Sequence, residues 1–153
     1  MNNIVAIVGR PNVGKSTLFN RLVDDSKSIT YNTSGTTRDR HYGYGEWCGV
    51  NFTVIDTGGY LEDDKDEFAS DIRKQILAAL GHANVLLFVV DCKSGVAAGD
   101  AEFAKVIREL KKPVILVANK ADTTKMSWMS SEFYSLGFGE PYAISSRACI
   151  KCE

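Results

Sequence analysis

Gly9-Arg10-Pro11-Asn12-Val13-Gly14-Lys15-Ser16 is the stretch that decides the fold of this chain. It follows a short apolar run at residues 4–8 and precedes a helical pattern at residues 18–23. A G-x-x-x-x-G-K-S sequence between a strand and a helix is the signature of a phosphate-binding loop. The glycines allow a tight turn in which successive N–H groups face one centre, and the following helix directs its positive dipole end to the same point.

The polar residues of this loop have expected roles at the phosphates of a nucleotide. Lys15 is predicted to reach the β- and γ-phosphates as a point charge, and the Ser16 hydroxyl is predicted to ligate a magnesium ion. The alternative interpretation is an ordinary glycine-rich turn between a strand and a helix. The nucleotide-binding residues predicted in the loop are Asn12, Val13, Gly14, Lys15, Ser16 and Thr17.

Length and composition are those of one ordinary domain. The chain has 153 residues, of which 44% are hydrophobic and 24% charged, and a domain of this size buries roughly 70% of its unfolded surface. The formal net charge of −1 provides no electrostatic attraction to nucleic acid or to an anionic membrane. Because the chain shows neither a basic and apolar leader nor an apolar run near about 18 residues, we expect a cytoplasmic protein.

Strand patterns and helix patterns alternate along the chain. Apolar, β-branched runs predict strands at residues 3–8, 41–48, 51–55, 85–91, 114–118 and 141–144. Amphipathic patterns predict helices at about residues 15–24, 67–80, 100–110 and 130–136. One early hairpin, joined at Gly49-Val50, precedes the regular alternation. We therefore predict an α/β fold with three α/β/α layers around a mostly parallel sheet of about six strands, one of them an antiparallel edge strand.

A second motif suits a metal ion and a γ-phosphate. Asp56-Thr57-Gly58-Gly59 follows the strand at residues 51–55, and the carboxyl ends of strands are where such sheets bind ligands. Asp56 is predicted to hold magnesium through a water molecule, and Gly59 allows the backbone to approach the γ-phosphate. Thr37 lies in a polar loop at residues 25–40 whose length is typical of functional loops, and it can complete the magnesium shell when a γ-phosphate is bound.

A third motif, Asn119-Lys120-Ala121-Asp122, follows the strand at residues 114–118 and is suited to reading a guanine base. Guanine presents N1–H and an exocyclic amine on one edge, and the Asp122 carboxylate can accept both. Two charge-assisted hydrogen bonds of about 1.5–3 kcal/mol each discriminate against adenine by roughly 10² to 10⁴. Lys120 is predicted to lay its aliphatic stem over the base. Taken alone, the motif can also be a polar turn.

The order phosphate loop, Thr, D-x-x-G, N-K-x-D resembles that of the translation-factor-like GTPases. Four segments carry a closer resemblance: Gly9 to Leu22, Gly35-Thr36-Thr37-Arg38-Asp39-Arg40, Asp56 to Gly59, and Asn119 to Asp122. They are similar to the first GTPase domain of the Der/EngA family of bacterial ribosome-assembly proteins. The similarity extends from about residue 3 to residue 146, which implies a Ras-like G domain at residues 1–146.

The resemblance also implies how the domain works. Thr37 would be the switch threonine, and residues 25–40 and 57–66 would be the two switch loops around GTP and magnesium. The family hydrolyses GTP to GDP and phosphate and acts in large-subunit assembly. A ribosomal precursor is the implied partner, contacted through the rest of a longer protein rather than through this domain. The predicted catalytic residues are Lys15, Thr37 and Gly59.

Two positions bear on the rate of hydrolysis. Tyr60 stands after D-x-x-G, where many regulatory GTPases have a glutamine that orients the attacking water, and a phenol is not a ready substitute. In similar cation-dependent GTPases, an asparagine at the position of Asn12 ligates potassium beside the phosphates, a charge that can act as an arginine finger does. We therefore expect slow, potassium-stimulated hydrolysis, with Asn12 as a turn residue as the alternative.

The end of the chain departs from the family pattern. Ser145 and Ser146 fit loosely to a small-residue loop that contacts the base in the family. Residues 147–153 form an atypical tail, too short for the closing helix of the family, so part of one sheet face is expected to be uncovered. Within this tail, Cys149 and Cys152 can be half of a zinc site or a redox pair, but two reduced thiols is the preferred interpretation because no further ligand is near.

Three other functions are compatible with parts of the sequence. A nucleotide-sensing interaction module with negligible turnover is compatible with Tyr60. An assembly GTPase of the Era-like type shares most of the motifs. A nucleotide kinase also has a phosphate loop, but it needs an arginine-bearing lid that the sequence does not show, and the motif at residues 119–122 speaks against it.

Overall fold

A computed structural model describes residues 3–23, 41–57, 77–78 and 80–146. One six-stranded sheet dominates it, in the order β2-β3-β1-β4-β5-β6. The strands are β1 (Ile4–Val8), β2 (His41–Trp47), β3 (Val50–Asp56), β4 (Val85–Asp91), β5 (Val114–Asn119) and β6 (Tyr142–Ala143). All neighbouring strands are parallel except β2 and β3. The antiparallel strand β2 lies at one edge of the sheet. The predicted fold class is confirmed.

Helices flank the sheet on both faces. They are α1 (Lys15–Leu22), α2 (Ala98–Glu109), α3 (Thr124–Met129) and a 3₁₀ helix (Ser130–Leu136). Sequence patterns did not predict α3, and the segment predicted as a helix at residues 130–136 has the tighter 3₁₀ geometry. The predicted helix at residues 67–80 lies mostly outside the described residues.

The hairpin turn differs from the prediction by one residue. It is formed by Cys48 and Gly49, at φ 50° and 78°, between Trp47 and Val50. Two consecutive positive φ values match the right-handed twist of a two-residue hairpin, and this twist decides the register. Val50, predicted as part of the turn, is therefore the first residue of β3.

Apolar side chains alternate between two cores because successive strand residues face opposite sides of the sheet. The core on the α1 side contains Ile7, Val13, Leu18, Phe19, Val23, Val54, Val89 and Val117. The core on the α2 side is larger and includes Val8, Leu86, Phe88, Val90, Ile107, Leu116 and Phe133. Both faces of the central strands are buried, which explains their continuous apolar sequences.

The α1 side of the sheet carries exposed apolar residues on its outer strands. Ile115 precedes Val117 by two residues, and Tyr142 pairs with Val117 in the register, so all three face the α1 side. Ile115 is 40% exposed and Tyr142 is 60% exposed. Two large apolar side chains on this side are therefore exposed among the described residues.

Candidate functional site

The phosphate-binding loop turns sharply before α1. Gly14 has φ 97° and stands at the N-terminus of the helix. A Cβ atom there would lie 2.2 Å from Nδ2 of Asn119. Glycine is therefore required at this position for two reasons: the backbone is left-handed, and the side chain of Asn119 at the end of β5 leaves no room for a Cβ atom.

Lys15 is held inside the loop that precedes it. Its side chain is buried, and Nζ donates to the carbonyl oxygens of Gly9 at 2.9 Å and Arg10 at 2.5 Å. These bonds fold the lysine back across the concave side of the loop. A cation in this position is placed to neutralise phosphate oxygens cradled by the loop N–H groups.

Ser16 and Asp56 meet at the carboxyl end of the sheet. The Ser16 hydroxyl donates to Oδ2 of Asp56 over 3.4 Å, a long hydrogen bond. Thr57 secures the end of β3, because its hydroxyl donates to the carbonyl of Ile7 at 2.7 Å. A hydroxyl and a carboxylate are hard oxygen ligands of the kind that magnesium accepts together with phosphates and water.

No cluster of three or more His, Cys, Asp or Glu side chains suited to a metal ion occurs among the residues that the structure describes. This agrees with the chemistry of magnesium in nucleotide sites, where one or two protein oxygens suffice because the phosphates supply the others. The pair formed by Ser16 and Asp56 therefore fits such an ion.

Asn119 joins the turn after β5 to the phosphate loop. Its buried Nδ2 donates to the carbonyl of Val13 at 2.9 Å. Its Oδ1 accepts from both the N–H and the hydroxyl of Ser146, each at 3.0 Å. Asn119 is thus a buried side chain that links three segments by hydrogen bonds, rather than a freely exposed base-binding group.

The Asp122 carboxylate is exposed and lies three residues after Asn119 in the chain. Its Oδ1 accepts from the Ser145 hydroxyl at 2.5 Å, and its Oδ2 pairs with Nζ of Lys93 at 2.9 Å. Both side chains of the ion pair are more than a third exposed, so the pair orients Asp122 but contributes only about 0–1 kcal/mol to stability. Asp122 is therefore a partly exposed carboxylate whose two oxygens are each held by a neighbouring side chain.

Lys120 spans the phosphate loop and the end of β4. Its Nζ donates to the carbonyl of Asn12 at 2.7 Å and to Oδ2 of Asp91 at 3.0 Å. Lys120 has a left-handed backbone conformation, with φ 64°. Its ammonium group therefore links the phosphate loop to the carboxyl end of β4.

Asp91 is a residue of this site that sequence reasoning missed. It also accepts from the backbone N–H of Lys93 at 2.8 Å and from the Ser94 hydroxyl at 3.1 Å. Burial alone would raise the pKa of Asp91, but the bonds from Lys120, Lys93 and Ser94 outweigh it and hold the pKa below its usual value of 3.8. The sequence feature that could have identified it is an acidic residue at the carboxyl end of β4, next to the strand that ends in Asn119.

Cys92 follows Asp91 but is not a reactive group. It is 1% exposed, and burial, with the nearby charges of Asp91, Asp122 and Glu132, raises its pKa to about 11. The thiol is therefore protonated at neutral pH.

The remaining predicted residues fall into two groups. Val13 is buried, while Asn12 is exposed in a left-handed conformation with φ 68°. Thr17 lies in the first turn of α1. Thr37, Gly59 and Tyr60 lie outside the described residues, as do the proposed switch loops except Thr57, and so do Cys149 and Cys152.

Comparison with known proteins agrees with this geometry. The family model described as "50S ribosome-binding GTPase" matches residues 4–120, more than half of the chain. The chain belongs to this GTPase family. The match runs from the first residue of β1 to the first two residues of the base-reading motif and contains the phosphate loop and Asp56.

Curated relatives of this GTPase family are longer proteins. One is "GTPase Der" of Amoebophilus asiaticus, which is 58% identical over 146 residues. The alignment covers 95% of this chain and 34% of the relative. The chain therefore spans about a third of the length of the curated relatives that it matches.

Two solved structures of Era resemble this GTPase domain. One is Era of Aquifex aeolicus bound to GDP and AlF4⁻, with 35% identity and a TM-score of 0.73 over 95% of this chain and 52% of that chain. The other is Era in complex with MgGDPNP and a segment of 16S ribosomal RNA, with 34% identity and a TM-score of 0.73 over 94% of this chain and 51% of that chain.

In the described part of the present chain, no helix is long and apolar enough to cross a bilayer.

Proposed function

We propose that this chain binds GTP, hydrolyses it to GDP and phosphate with magnesium, and acts as a switch in assembly of the large ribosomal subunit as part of a longer protein. The observation that carries the proposal is the hydrogen bond of 2.9 Å from Asn119 to Val13. It supports one continuous nucleotide site, because it joins the base-reading motif to the phosphate loop.

The base-reading half of the site would select guanine. Asp122 would accept from N1–H and the exocyclic amine, held in place by Ser145 and Lys93. Lys120, fixed by Asn12 and Asp91, would cover the base plane with its methylene groups. Ser146 would act indirectly, since its two hydrogen bonds hold the Asn119 side chain in place.

The phosphate half would supply charge and orientation. Loop N–H groups of Val13, Gly14 and Thr17 would bind phosphate oxygens, and Lys15 would neutralise the charge that develops during cleavage. Ser16 and Asp56 would hold the magnesium ion, which would neutralise charge on the phosphates. Thr37 and Gly59 remain predictions for the γ-phosphate side of the site.

Hydrolysis is proposed to be slow and stimulated by potassium. The proposal rests on the sequence, since Tyr60 replaces the usual water-orienting glutamine and Asn12 occupies the position of a cation ligand. Asn12 is an exposed residue of the phosphate loop, and Lys120 binds its carbonyl rather than its side chain. Its side chain is therefore not the group that Lys120 holds.

Partners are inferred from the relatives. Era, a structural neighbour, was solved with MgGDPNP and 16S ribosomal RNA, and the family model is described as ribosome-binding. These observations support a ribosomal precursor as the partner of the longer protein. The net charge of −1 favours contact with RNA through other parts of that protein. A cytoplasmic location accords with this partner.

The experiment is phosphate release from GTP and from ATP, in potassium and in sodium, under single-turnover conditions. We expect release from GTP alone, faster in potassium. Asn12→Gly, which preserves the positive φ of 68°, should remove the potassium response but retain GDP binding. GTP binding with no release in either salt would instead indicate a nucleotide-sensing module, and equal release from ATP would contradict the proposal.

A further inference from the structure

The side chain of Arg10 leaves the phosphate loop and binds the first turn of α2. Its Nε donates to Oδ1 of Asp100 at 2.8 Å, and the Asp100 side chain is fully buried. Arg10 itself is 22% exposed. Residues 90 positions apart are thus joined by a charge-assisted hydrogen bond that is largely shielded from water.

Asp100 is fixed independently of Arg10. Its second oxygen, Oδ2, accepts from the backbone N–H of Ala97 at 2.9 Å, which completes the N-terminal cap of α2. With one oxygen on the helix terminus and the other on the guanidinium, the carboxylate cannot rotate without losing a bond. Arg10 is therefore held by a side chain that is itself fixed at the N-terminus of α2.

The surface of α2 is shaped to receive the arginine. A Cβ atom on Gly99 would lie 2.8 Å from Cδ and 3.2 Å from Cγ of Arg10. Within the described part of the chain, Nη2 of Arg10 is buried and has no hydrogen-bond partner. The Asp100 carboxylate thus provides the charge compensation for the guanidinium, and loss of that carboxylate should release the side chain.

The same residue holds the phosphate-binding lysine. The Arg10 carbonyl accepts from Lys15 Nζ at 2.5 Å, and the adjacent Gly9 carbonyl accepts at 2.9 Å. The side chain of Arg10 is fixed by α2 while its backbone fixes Lys15. A shift of this peptide would therefore move the ammonium group relative to the phosphates.

We propose that Arg10 and Asp100 are positioning residues, which use α2 to set the carbonyl cradle of Lys15 for the β-phosphate of a bound nucleotide. This inference rests on the proposed function, since it assumes that Lys15 binds phosphate. It differs from a purely structural ion pair in one respect. Loss of the pair should weaken binding of the β-phosphate more than binding of the remainder of the nucleotide.

The test compares the affinities for GDP and GMP, measured by displacement of a fluorescent GDP analogue. GMP lacks the β-phosphate but retains the base, so the ratio of GDP affinity to GMP affinity reports the contribution of the β-phosphate, to which Lys15 is expected to bind. Asp100→Asn keeps an oxygen for the Ala97 cap but removes the charge facing Arg10. We expect this variant to lower the ratio by about tenfold, with a slower single-turnover rate.

Two variants complete the design. Gly99→Ala improves helix propensity and leaves both charges in place, but it displaces the Arg10 stem, so it should lower the ratio even if Asp100→Asn folds poorly. Glu102→Gln makes the same carboxylate-to-amide change in α2 at an exposed pair with Lys105, 3.7 Å away. This control should leave the ratio unchanged.

The outcomes separate the two hypotheses. An unchanged ratio in Asp100→Asn and Gly99→Ala, or equal losses of GDP and GMP affinity, would overturn the positioning role while the proposed function stands. An unaltered chain that binds neither nucleotide would overturn the proposed function and this inference with it.

Discussion

The side-chain amide of Asn119 donates to the backbone carbonyl of Val13 at 2.9 Å, 106 residues earlier in the chain. This bond connects the carboxyl end of β5 to the loop that follows β1, across the intervening strand β4. A sheet of this order brings the two turns to one edge because the three strands are parallel. The motif predicted to read the base is therefore joined directly to the phosphate loop.

Replacement of Asn119 by alanine should destabilise the fold as well as the site. The Val13 carbonyl and the Ser146 N–H and hydroxyl would lose a buried partner. We expect the free energy of unfolding to fall by about 2–4 kcal/mol, measured by urea denaturation. The exposed Asn51→Ala change in β3 is the control. An equal loss of unfolding free energy in that variant would contradict the stabilising role of the Asn119 hydrogen bonds.

Asp122→Asn should change the base that is accepted. An amide offers one acceptor and one donor, which suits xanthine, with its N1–H and its carbonyl at C2, better than guanine. We expect GDP affinity to fall by about a hundredfold and xanthosine diphosphate affinity to rise, both measured by calorimetry. Glu140→Gln, an exposed carboxylate outside the site, should alter neither affinity, and unchanged GDP binding by Asp122→Asn would refute the assignment.

Ser16→Ala should reduce the response of nucleotide binding to magnesium. The hydroxyl faces Asp56 at 3.4 Å, and without it the ion would lose a protein ligand. We expect magnesium to strengthen GDP binding to the unaltered chain, and this gain to fall by about tenfold in the variant. The exposed Ser135→Ala change should preserve the gain, whereas a full magnesium response in Ser16→Ala would exclude this hydroxyl as a ligand.

Acid should weaken the fold partly through Asp91. Because its pKa in the folded state is held below the usual 3.8, Asp91 contributes stability above that value and loses it as the pH falls through the folded-state pKa. Asp91→Asn should therefore lower stability at neutral pH and make the decline below about pH 4 shallower. Urea denaturation at several pH values measures this, and parallel curves for the two proteins would contradict it.

Sequence predicts well what is local in the chain. The phosphate loop, the strand that precedes it and the helix that follows it are contiguous, so their spacing alone determines the turn. Asp56 and Asn119 were placed at the carboxyl ends of strands, and the structure has them there, buried near the loop. Alternation of strands and helices likewise predicted the layer order.

Side-chain partners that depend on packing were not predictable in the same way. Asp91, Lys93 and Asp100 each bind a residue of the site that is distant in the sequence. The residues around each of them give no indication of that partner. The hairpin turn was misplaced by one residue because Cys48, which is not a typical left-handed residue, adopts φ 50°.

Helix α3 had a signal that the periodicity did not reveal. Its cap is Thr123, whose hydroxyl oxygen accepts from the N–H of Met126 at 3.2 Å. None of the six residues of α3 is buried, so there was no apolar stripe to detect, and capping chemistry was the better indicator.

Calorimetric titration of the nucleotide-free chain with GDP and, in parallel, with ADP, both with magnesium, tests the central claim most directly. The account predicts that GDP binds and that ADP binds at least about a hundredfold more weakly, because Asp122 accepts two hydrogen bonds from guanine and none from adenine. Equal affinity for GDP and ADP, or binding of neither, would contradict it.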